Sequence, residues 1–258
     1  MALGLLAGAW GSEAQAFPLR VLVEGPKSAM VIAVSQTTEF HRTDGTVTTL
    51  QPGQFFTVSA QSLGSVQMGE NGMVMVGNRW YPETMSFVWL KGGVAALNNV
   101  DSETYLRGVI PREMPEEYHP EALKAQAIAA RTYALTSYQR RKHGPNYDMV
   151  DTTNDQVYGG FAKFNPRTGR SSWLTDPRTD RAVSDTRNIV LNYSKVDGEY
   201  RDQGINGWAR YGQYALPIRK GPILSQTVSQ KMALAGWNFQ QILWYWYQSE
   251  LYRLPQTM

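Results

Sequence analysis

The sequence of 258 residues contains no cysteine. Disulfide scaffolds, zinc sites with cysteine ligands and cysteine nucleophiles are therefore excluded, and the composition suits an exported protein that folds without forming disulfides. A strong charge of one sign is also missing, since the net charge is only +3 and no run of five or six lysines and arginines occurs. Because nucleic-acid binding depends on clustered cations, no nucleic-acid partner is indicated.

Sequence motifs of several enzyme classes are absent as well. There is no G-x-S-x-G elbow and no phosphate-binding P-loop. The three histidines are His41, His119 and His143. They lie too far apart for the H-x-x-x-H spacing of a metal site on a helix. The aspartates Asp148, Asp151 and Asp155 lack the central glycine and the closing glutamate of a calcium loop. The sequence therefore predicts neither a metal ion nor another cofactor.

Long hydrophobic runs are also absent. The apolar stretch at residues 2–10 is nine residues long, whereas a membrane-spanning helix needs about 20. Ala14-Gln15-Ala16 follows, so the pattern is that of a secretory signal without its basic n-region. We expect residues 1–16 to be a signal or targeting remnant, with a frayed N-terminal segment as the alternative. The protein would then be exported to the periplasm or cell envelope, or to the thylakoid lumen in a photosynthetic source.

The rest of the chain predicts an α+β fold in which strands come first and helices later. Residues 17–100 contain short apolar or alternating runs with turn signals about every ten residues. They predict a small antiparallel sheet or a barrel-like β module. Residues 101–258 predict a core that contains helices and strands and has a shortened C-terminal half.

Within the second part, "DSETYLRGVI" predicts a short helix capped by Asp101 or Ser102, and residues 120–141 predict a long one. Leu123, Ala127, Ala130, Ala134 and Leu135 fall on one face of the long helix. Residues 161–180 are polar and read as a loop. "RAVSDTRNIVLNYS" predicts a helix followed by a strand, and the last apolar stretch predicts two helices separated at Gly236. The second of these is rich in aromatics and is expected to face the core, with a protein-binding surface as the alternative.

One carboxylate stands out, since Glu113 lies in a turn bounded by Pro111 and Pro115. A carboxylate fixed in this way loses little entropy when it meets a substrate, and apolar neighbours such as Ile110 and Met114 would favour the protonated form that a general acid needs. A surface glutamate paired with Arg112 is the alternative.

The helix that follows carries polar side chains among its alanines. Lys124 and Arg131 are seven residues apart and share a face, and Gln126 lies between them. This arrangement would suit a cleft for a polar substrate. A solvated helix face is the alternative.

Residues 98–135, "NNVDSETYLRGVIPREMPEEYHPEALKAQAIAARTYAL", closely resemble the core signature of the SpoIID/LytB family, the stage II sporulation protein D and amidase-enhancer proteins. A second family block matches at Asp151, Thr153, Gln156, Tyr158, Gly159 and Gly160. A closing block matches at Ser225, Gln226, Met232, Ala233, Gly236, Ile242, Leu243 and Tyr247. The resemblance thus covers most of the chain after residue 17.

The resemblance implies a lytic transglycosylase that acts on peptidoglycan glycan strands. The glutamate of the family's Glu-Met-Pro motif is Glu113 here, and it would serve as the single acid and base at the linkage between N-acetylmuramic acid and N-acetylglucosamine. Lys124 and Arg131 would contact the substrate in the cleft, and Gln126 and Tyr158 are further candidates.

The sequence also departs from the family. Asn154 and Asp155 stand where members often have His-Cys, so the zinc site of some members is not expected. The family's Gly-His-Gly-x-Gly is replaced by residues 219–223, and its His-Ser-Ser-x-Gly-Gly motif is absent. Two alternatives therefore stay open: a glycan-binding or amidase-enhancing module, and a structural accessory subunit that binds a protein partner through the C-terminal aromatic helix.

Overall fold

A computed structural model describes residues 16–191, 208–211, 214–217, 224–247 and 249–254. All of the expected targeting segment except Ala16 lies outside these residues, and so does the replaced motif at 219–223.

The first hundred residues form strands, as predicted, and helices follow them, so the fold is α+β. The strands are β1 (Pro18–Lys27), β2 (Ala29–Val34), β3 (Thr38–Arg42), β4 (Val47–Leu50), β5 (Phe56–Ser59), β6 (Gly64–Gln67), β7 (Met73–Val76), β8 (Arg79–Pro82), β9 (Thr84–Leu90), β10 (Gly93–Asp101), β11 (Met149–Val150), β12 (Ala162–Asn165), β13 (Arg170–Trp173), β14 (Ile189–Leu191), β15 (Trp208–Tyr211), β16 (Tyr214–Pro217) and β17 (Leu251–Arg253). A short 3₁₀ helix occupies Ala60–Ser62.

Two sheets hold most of these strands. One has the order β11-β1-β10-β9-β6-β3-β4 and the other the order β13-β12-β8-β7-β2-β5. Apart from β11, which pairs in parallel with β1, neighbouring strands in both sheets are antiparallel. Residues alternate between buried and more exposed along β1, where Leu19 and Val21 are buried, and both sheets contribute to one hydrophobic core. Two small pairs, β14 with β17 and β15 with β16, lie outside these sheets.

The helices are α1 (Ser102–Glu113), α2 (Pro120–Arg140), α3 (Pro177–Asp185), α4 (Gln226–Leu234) and α5 (Phe239–Tyr247). Asp101 caps α1, since its side chain accepts hydrogen bonds from the backbone N–H groups of Glu103 and Thr104. His119 caps α2, and the helix ends as predicted at its C-cap Arg141, which has a left-handed conformation with φ +48°. None of the helices in the described ranges is long and apolar enough to cross a membrane.

Two local predictions were wrong. Glu113 does not lie in a turn, because α1 continues through Pro111 to Glu113 and the Met114 N–H still donates to the Ile110 oxygen at 2.9 Å. A proline this close to the end of a helix removes a single helical N–H, so the last turn survives. Residues 161–180 are not a loop but hold the hairpin β12–β13 and the start of α3. Polar residues on a sheet edge do not show the alternation on which strand prediction depends.

A second hydrophobic cluster lies around α2, α4 and α5. The apolar side chains of α5 mostly face this cluster, as predicted: Ile242, Leu243, Trp246 and Tyr247 are buried, whereas Trp244 is exposed. The predicted alanine face of α2 is buried too, but burial extends around most of the helix. The small side chains let α2 pack against sheet and helices at once.

A buried ion pair joins the helices. Arg131 of α2 is fully buried, and its Nε and Nη2 donate to the two carboxylate oxygens of Glu103 in α1 at 2.7 and 2.8 Å. The same guanidinium donates to the Ile189 oxygen of β14 and the Val183 oxygen of α3. The side chain thus connects α2 to three other elements, and each of its three nitrogens donates to an acceptor.

The Arg131→Met variant is expected to lose about 3–5 kcal/mol of unfolding free energy, because Glu103 would be left buried without its partner. Lys124→Met is the matched control on the same helix: its ion pairs are longer and its side chain is 21% exposed, so its loss should stay below about 1 kcal/mol. Urea denaturation measures both. Equal losses in the two variants would contradict the role given to Arg131.

Candidate active site

The Glu113 carboxylate is half-buried at the C-terminal end of α1 and is held by two donors from distant parts of the chain. Its Oε1 accepts the backbone N–H of Val157 at 2.9 Å, and its Oε2 accepts the side-chain amide of Gln226 at 3.4 Å. Three stretches of sequence therefore meet at this carboxylate. In the described part of the chain its hydrogen bonds go to these two groups and not to Arg112, the alternative partner.

The segment that carries Val157 is fixed against α1 by close packing. The Gly159 N–H donates to the Gly108 oxygen at 3.0 Å, and the buried Tyr158 hydroxyl donates to Oδ1 of Asn98 at 2.8 Å. A Cβ on Gly108 would lie 2.4 Å from the Tyr158 ring. Gly160 adopts φ +66°, and a Cβ there would lie 2.5 Å from the Trp80 carbonyl oxygen. The position of the Val157 N–H thus depends on two glycines.

The residues predicted to join Glu113 do not form an open cleft with it. Lys124 and Arg131 do share a face of α2, but that face is covered by α3 and β14. Lys124 Nζ lies 3.3 Å from a carboxylate oxygen of each of Glu121 and Asp185. Arg131 is fully buried and its donors are used by Glu103 and two backbone oxygens. Both cations tie the helices together.

The two further candidates are also buried. Gln126 is 8% exposed, and Tyr158 is not exposed at all. The Tyr158 ring packs against Tyr105, with 4.9 Å between centroids. Burial raises the pKa of Tyr158 far above that of a free tyrosine, so its hydroxyl stays a hydrogen-bond donor to Asn98.

Two groups at Glu113 were missed by reasoning from the sequence. Gln226 was matched only as part of the closing block, and nothing in that match ties it to Glu113, 113 residues earlier. The Val157 N–H is a backbone group, so no residue type could signal it. The only nearby sequence feature that indicates this contact is the Gly159-Gly160 pair, which lets the segment approach α1 closely.

The aspartates considered for a calcium loop have other partners. Asp148 pairs with Arg20 at 2.8 Å, and the buried Asp155 accepts hydrogen bonds from Tyr133 and the Val150 N–H and ion-pairs with Lys142 and His143. Across the residues that the structure describes, no three histidine, aspartate or glutamate side chains come together in a way that could hold a metal ion.

A second unusual carboxyl group, that of Glu83, lies at the opposite end of α1. Glu83 has φ +62° between β8 and β9, and its Oε2 accepts the Asp101 N–H at 3.0 Å. Burial, and then the hydrogen bond and charge of Asp101, raise the pKa of Glu83 to about 7. A strained residue with a shifted pKa often marks a functional position.

The sequence is similar to known proteins over part of its length. The family model of the stage II sporulation protein SpoIID matches residues 90–193. The amidase enhancer of Bacillus subtilis is 44% identical over 135 residues, which are 48% of this chain and 16% of that protein. Stage II sporulation protein D of Bacillus subtilis is 35% identical over 102 residues, 38% of this chain and 30% of that protein. An uncharacterized protein of Brachyspira hyodysenteriae is 32% identical over 148 residues, 55% of this chain and 38% of that protein.

The stretch of residues 90–193, with Glu113 at the end of its first helix, is therefore similar to the SpoIID family, and the amidase enhancer and stage II sporulation protein D resemble the chain over a comparable length. The chain spans between about one sixth and two fifths of the length of these relatives. Glu113, Lys124, Gln126, Arg131 and Tyr158 all fall within the matched residues, whereas Gln226 lies outside them.

The Gly108→Ala variant is expected to lose about 1–3 kcal/mol of stability, because the new methyl group overlaps the Tyr158 ring and overpacking costs this much. Gly25→Ala is the control, since a Cβ there meets nothing within 4 Å. Thermal and urea denaturation compare the two. A Gly108→Ala protein as stable as Gly25→Ala would contradict the close packing of the 157–160 segment on α1.

The raised pKa of Glu83 predicts a pH effect on stability. The folded protein holds this proton more tightly than the unfolded chain does, so its stabilising effect is complete below pH 4.5 and is lost as the pH rises to about 7. We expect Glu83→Gln to lose less stability than the parent over that range in urea titrations. Part of the dependence of stability on pH should remain in this variant, because burial raises the pKa of Asp151 to about 6. Glu70→Gln, at an exposed glutamate, is the control and should show the same dependence of unfolding free energy on pH as the parent.

Proposed function

We propose that this protein is a peptidoglycan-directed lytic transglycosylase in which Glu113 is the single catalytic acid and base. The observation that carries the proposal is the placement of this carboxylate. It is half-buried and held by Val157 and Gln226 from two other parts of the fold, inside the residues matched to the SpoIID family. Positioning of this kind is what general acid–base catalysis requires.

The reaction balances with one carboxyl group. Protonated Glu113 donates its proton to the glycosidic oxygen, and the bond from that oxygen to C1 of N-acetylmuramic acid breaks. The resulting carboxylate then takes the proton from the 6-hydroxyl of the same sugar as its oxygen closes on C1. The products are a 1,6-anhydromuramyl end and a new N-acetylglucosamine 4-hydroxyl, and no water is consumed.

The neighbours of Glu113 suit these two roles. Most glycosidases that use water need a pair of carboxylates, whereas one carboxyl group can serve ring closure by the substrate's own hydroxyl. The Val157 N–H fixes Oε1 and stabilises the carboxylate after it has given up its proton. The longer bond from Gln226 leaves Oε2 the freer oxygen for proton transfer.

A second candidate function is a non-catalytic, glycan-binding or amidase-enhancing module. The specific observation in its favour is that Lys124 and Arg131 are held by internal carboxylates and so do not offer their charge to a substrate. The name of the Bacillus subtilis amidase enhancer points the same way. A structural accessory role would use the exposed Trp244 on α5. In each case export to the periplasm, the cell envelope or a thylakoid lumen remains part of the proposal.

The decisive comparison is between the purified protein and Glu113→Gln on glycan strands stripped of stem peptides. Removing the acid should lower the rate of anhydromuramyl product formation by about 100- to 10,000-fold, as followed by mass spectrometry. Glu117→Gln, at an exposed glutamate between α1 and α2, is the matched control and should retain parental activity.

An inactive parent protein would overturn the enzymatic proposal. If it still sediments with glycan strands, the binding module replaces it. Purification with a stoichiometric protein partner and without glycan affinity would favour the accessory role.

A further inference from the structure

A surface pocket of about 380 Å³ lies at the N-terminal end of α1, away from the Glu113 carboxylate. Its size is within the range of small-ligand sites, about 300–1,000 Å³. It is formed by the turn before β7, the turn before β9, the outer face of α1 and the hairpin β12–β13. The lining residues that matter here are Asn71, Glu83, Thr104, Arg107, Phe161 and Trp173.

Aromatic rings form part of its wall. Trp173 at the end of β13 is 68% exposed, the largest exposed fraction among the large hydrophobic residues that the structure describes. Phe161 lies nearby, with the Arg107 guanidinium 5.1 Å from its ring centroid. The flat face of an aromatic ring carries partial negative charge and attracts the C–H face of a sugar ring. An indole left open at a pocket is suited to this contact.

Polar groups complete the wall. Asn71 and Glu83 both adopt left-handed conformations, with φ of 59° and 62°, which non-glycine residues rarely adopt without a structural or functional reason. Thr104 adds a hydroxyl oxygen that can accept a hydrogen bond, since its hydrogen is donated to Asp101. Amide, carboxyl and hydroxyl groups of this kind can exchange hydrogen bonds with the hydroxyl and acetamido groups of a sugar.

The charge of the pocket argues against an anionic ligand. Arg107 is the basic residue of the lining, and its guanidinium already pairs with Asp180 at 2.8 Å. Glu70 and Glu83 add carboxyl groups. Phosphate and nucleic acid would therefore meet little free positive charge, whereas a neutral saccharide meets aromatic and hydrogen-bonding groups.

The pocket is linked to Glu113 by a short segment. Val157 donates to Glu113, Gly159 bonds to Gly108 of α1, and Phe161 reaches the pocket. Four residues of extended chain span at most about 14 Å. The pocket is thus close enough to contact the same polymer as Glu113, but it is separate from the carboxylate.

We propose that this pocket is a saccharide subsite that binds an N-acetylhexosamine unit through stacking on Trp173 and hydrogen bonds to Asn71 and Glu83. That the sugar belongs to a glycan strand cleaved at Glu113 rests on the proposed function. The binding of the sugar itself does not.

The test uses isothermal titration of chitotetraose, a soluble oligomer of N-acetylglucosamine, into the full chain carrying Glu113→Gln, so that turnover cannot interfere. Adding Trp173→Ala should weaken binding about tenfold, the scale of a lost aromatic contact. Trp173→Tyr should restore most of the affinity. Asn71→Gly should also weaken binding, because glycine keeps the left-handed backbone but removes the amide.

Trp89→Ala is the matched control, since Trp89 is another exposed tryptophan, on β9 and outside the pocket lining. Absence of binding to the Glu113→Gln chain, or equal losses in Trp89→Ala and Trp173→Ala, would overturn the subsite. Binding through Trp173 by a protein that forms no anhydromuramyl product would support the subsite while the proposed function fails. If Trp173→Ala does not change product formation and chitotetraose does not bind, the subsite fails while the proposed function stands.

Discussion

The bidentate pair between Arg131 and Glu103 is the interaction on which the helical part of the protein depends. It sets the distance between α1 and α2, and its remaining donors hold α3 and β14. An arginine with no exposed surface is tolerable because its charge is paired and each of its three nitrogens donates a hydrogen bond. Since Glu113 is the last residue of α1, the position of the carboxylate follows from an ion pair that does not touch it.

The alanines of α2 serve the same purpose in another way. A helix buried on most of its surface has to approach a sheet and four other helices, and small side chains make these approaches possible. Gly108 and Gly160 likewise allow close packing beside α1. The Tyr158 ring lies against Gly108, and the Trp80 backbone lies against Gly160, at distances that leave no room for a side chain. The segment that donates to Glu113 is therefore held in place by close backbone contacts that only small residues allow.

Particular residues show how much of the fold and of the site could be predicted from the sequence. Turn signals and apolar alternation located the strands, capping and periodicity located α1, α2 and the two C-terminal helices, and a local motif singled out Glu113. Lys124 and Arg131 were placed on the correct shared face, but helical spacing cannot tell whether that face meets solvent or another element. Arg131 finds its partner 28 residues away, and Glu113 finds Gln226 across 113 residues. Long-range pairings of this kind leave no local pattern.

The bond from Gln226 to Glu113 also has a consequence for how the protein is made. During synthesis α1 is complete long before α4 exists, and contacts between such distant residues close late because their loop entropy is high. Glu113 therefore cannot gain its second donor before Gln226 has been synthesised and brought to it. A chain interrupted before residue 226 would carry the carboxylate and the motif around it, but not the finished environment, so the geometry at Glu113 is linked to completion of the fold.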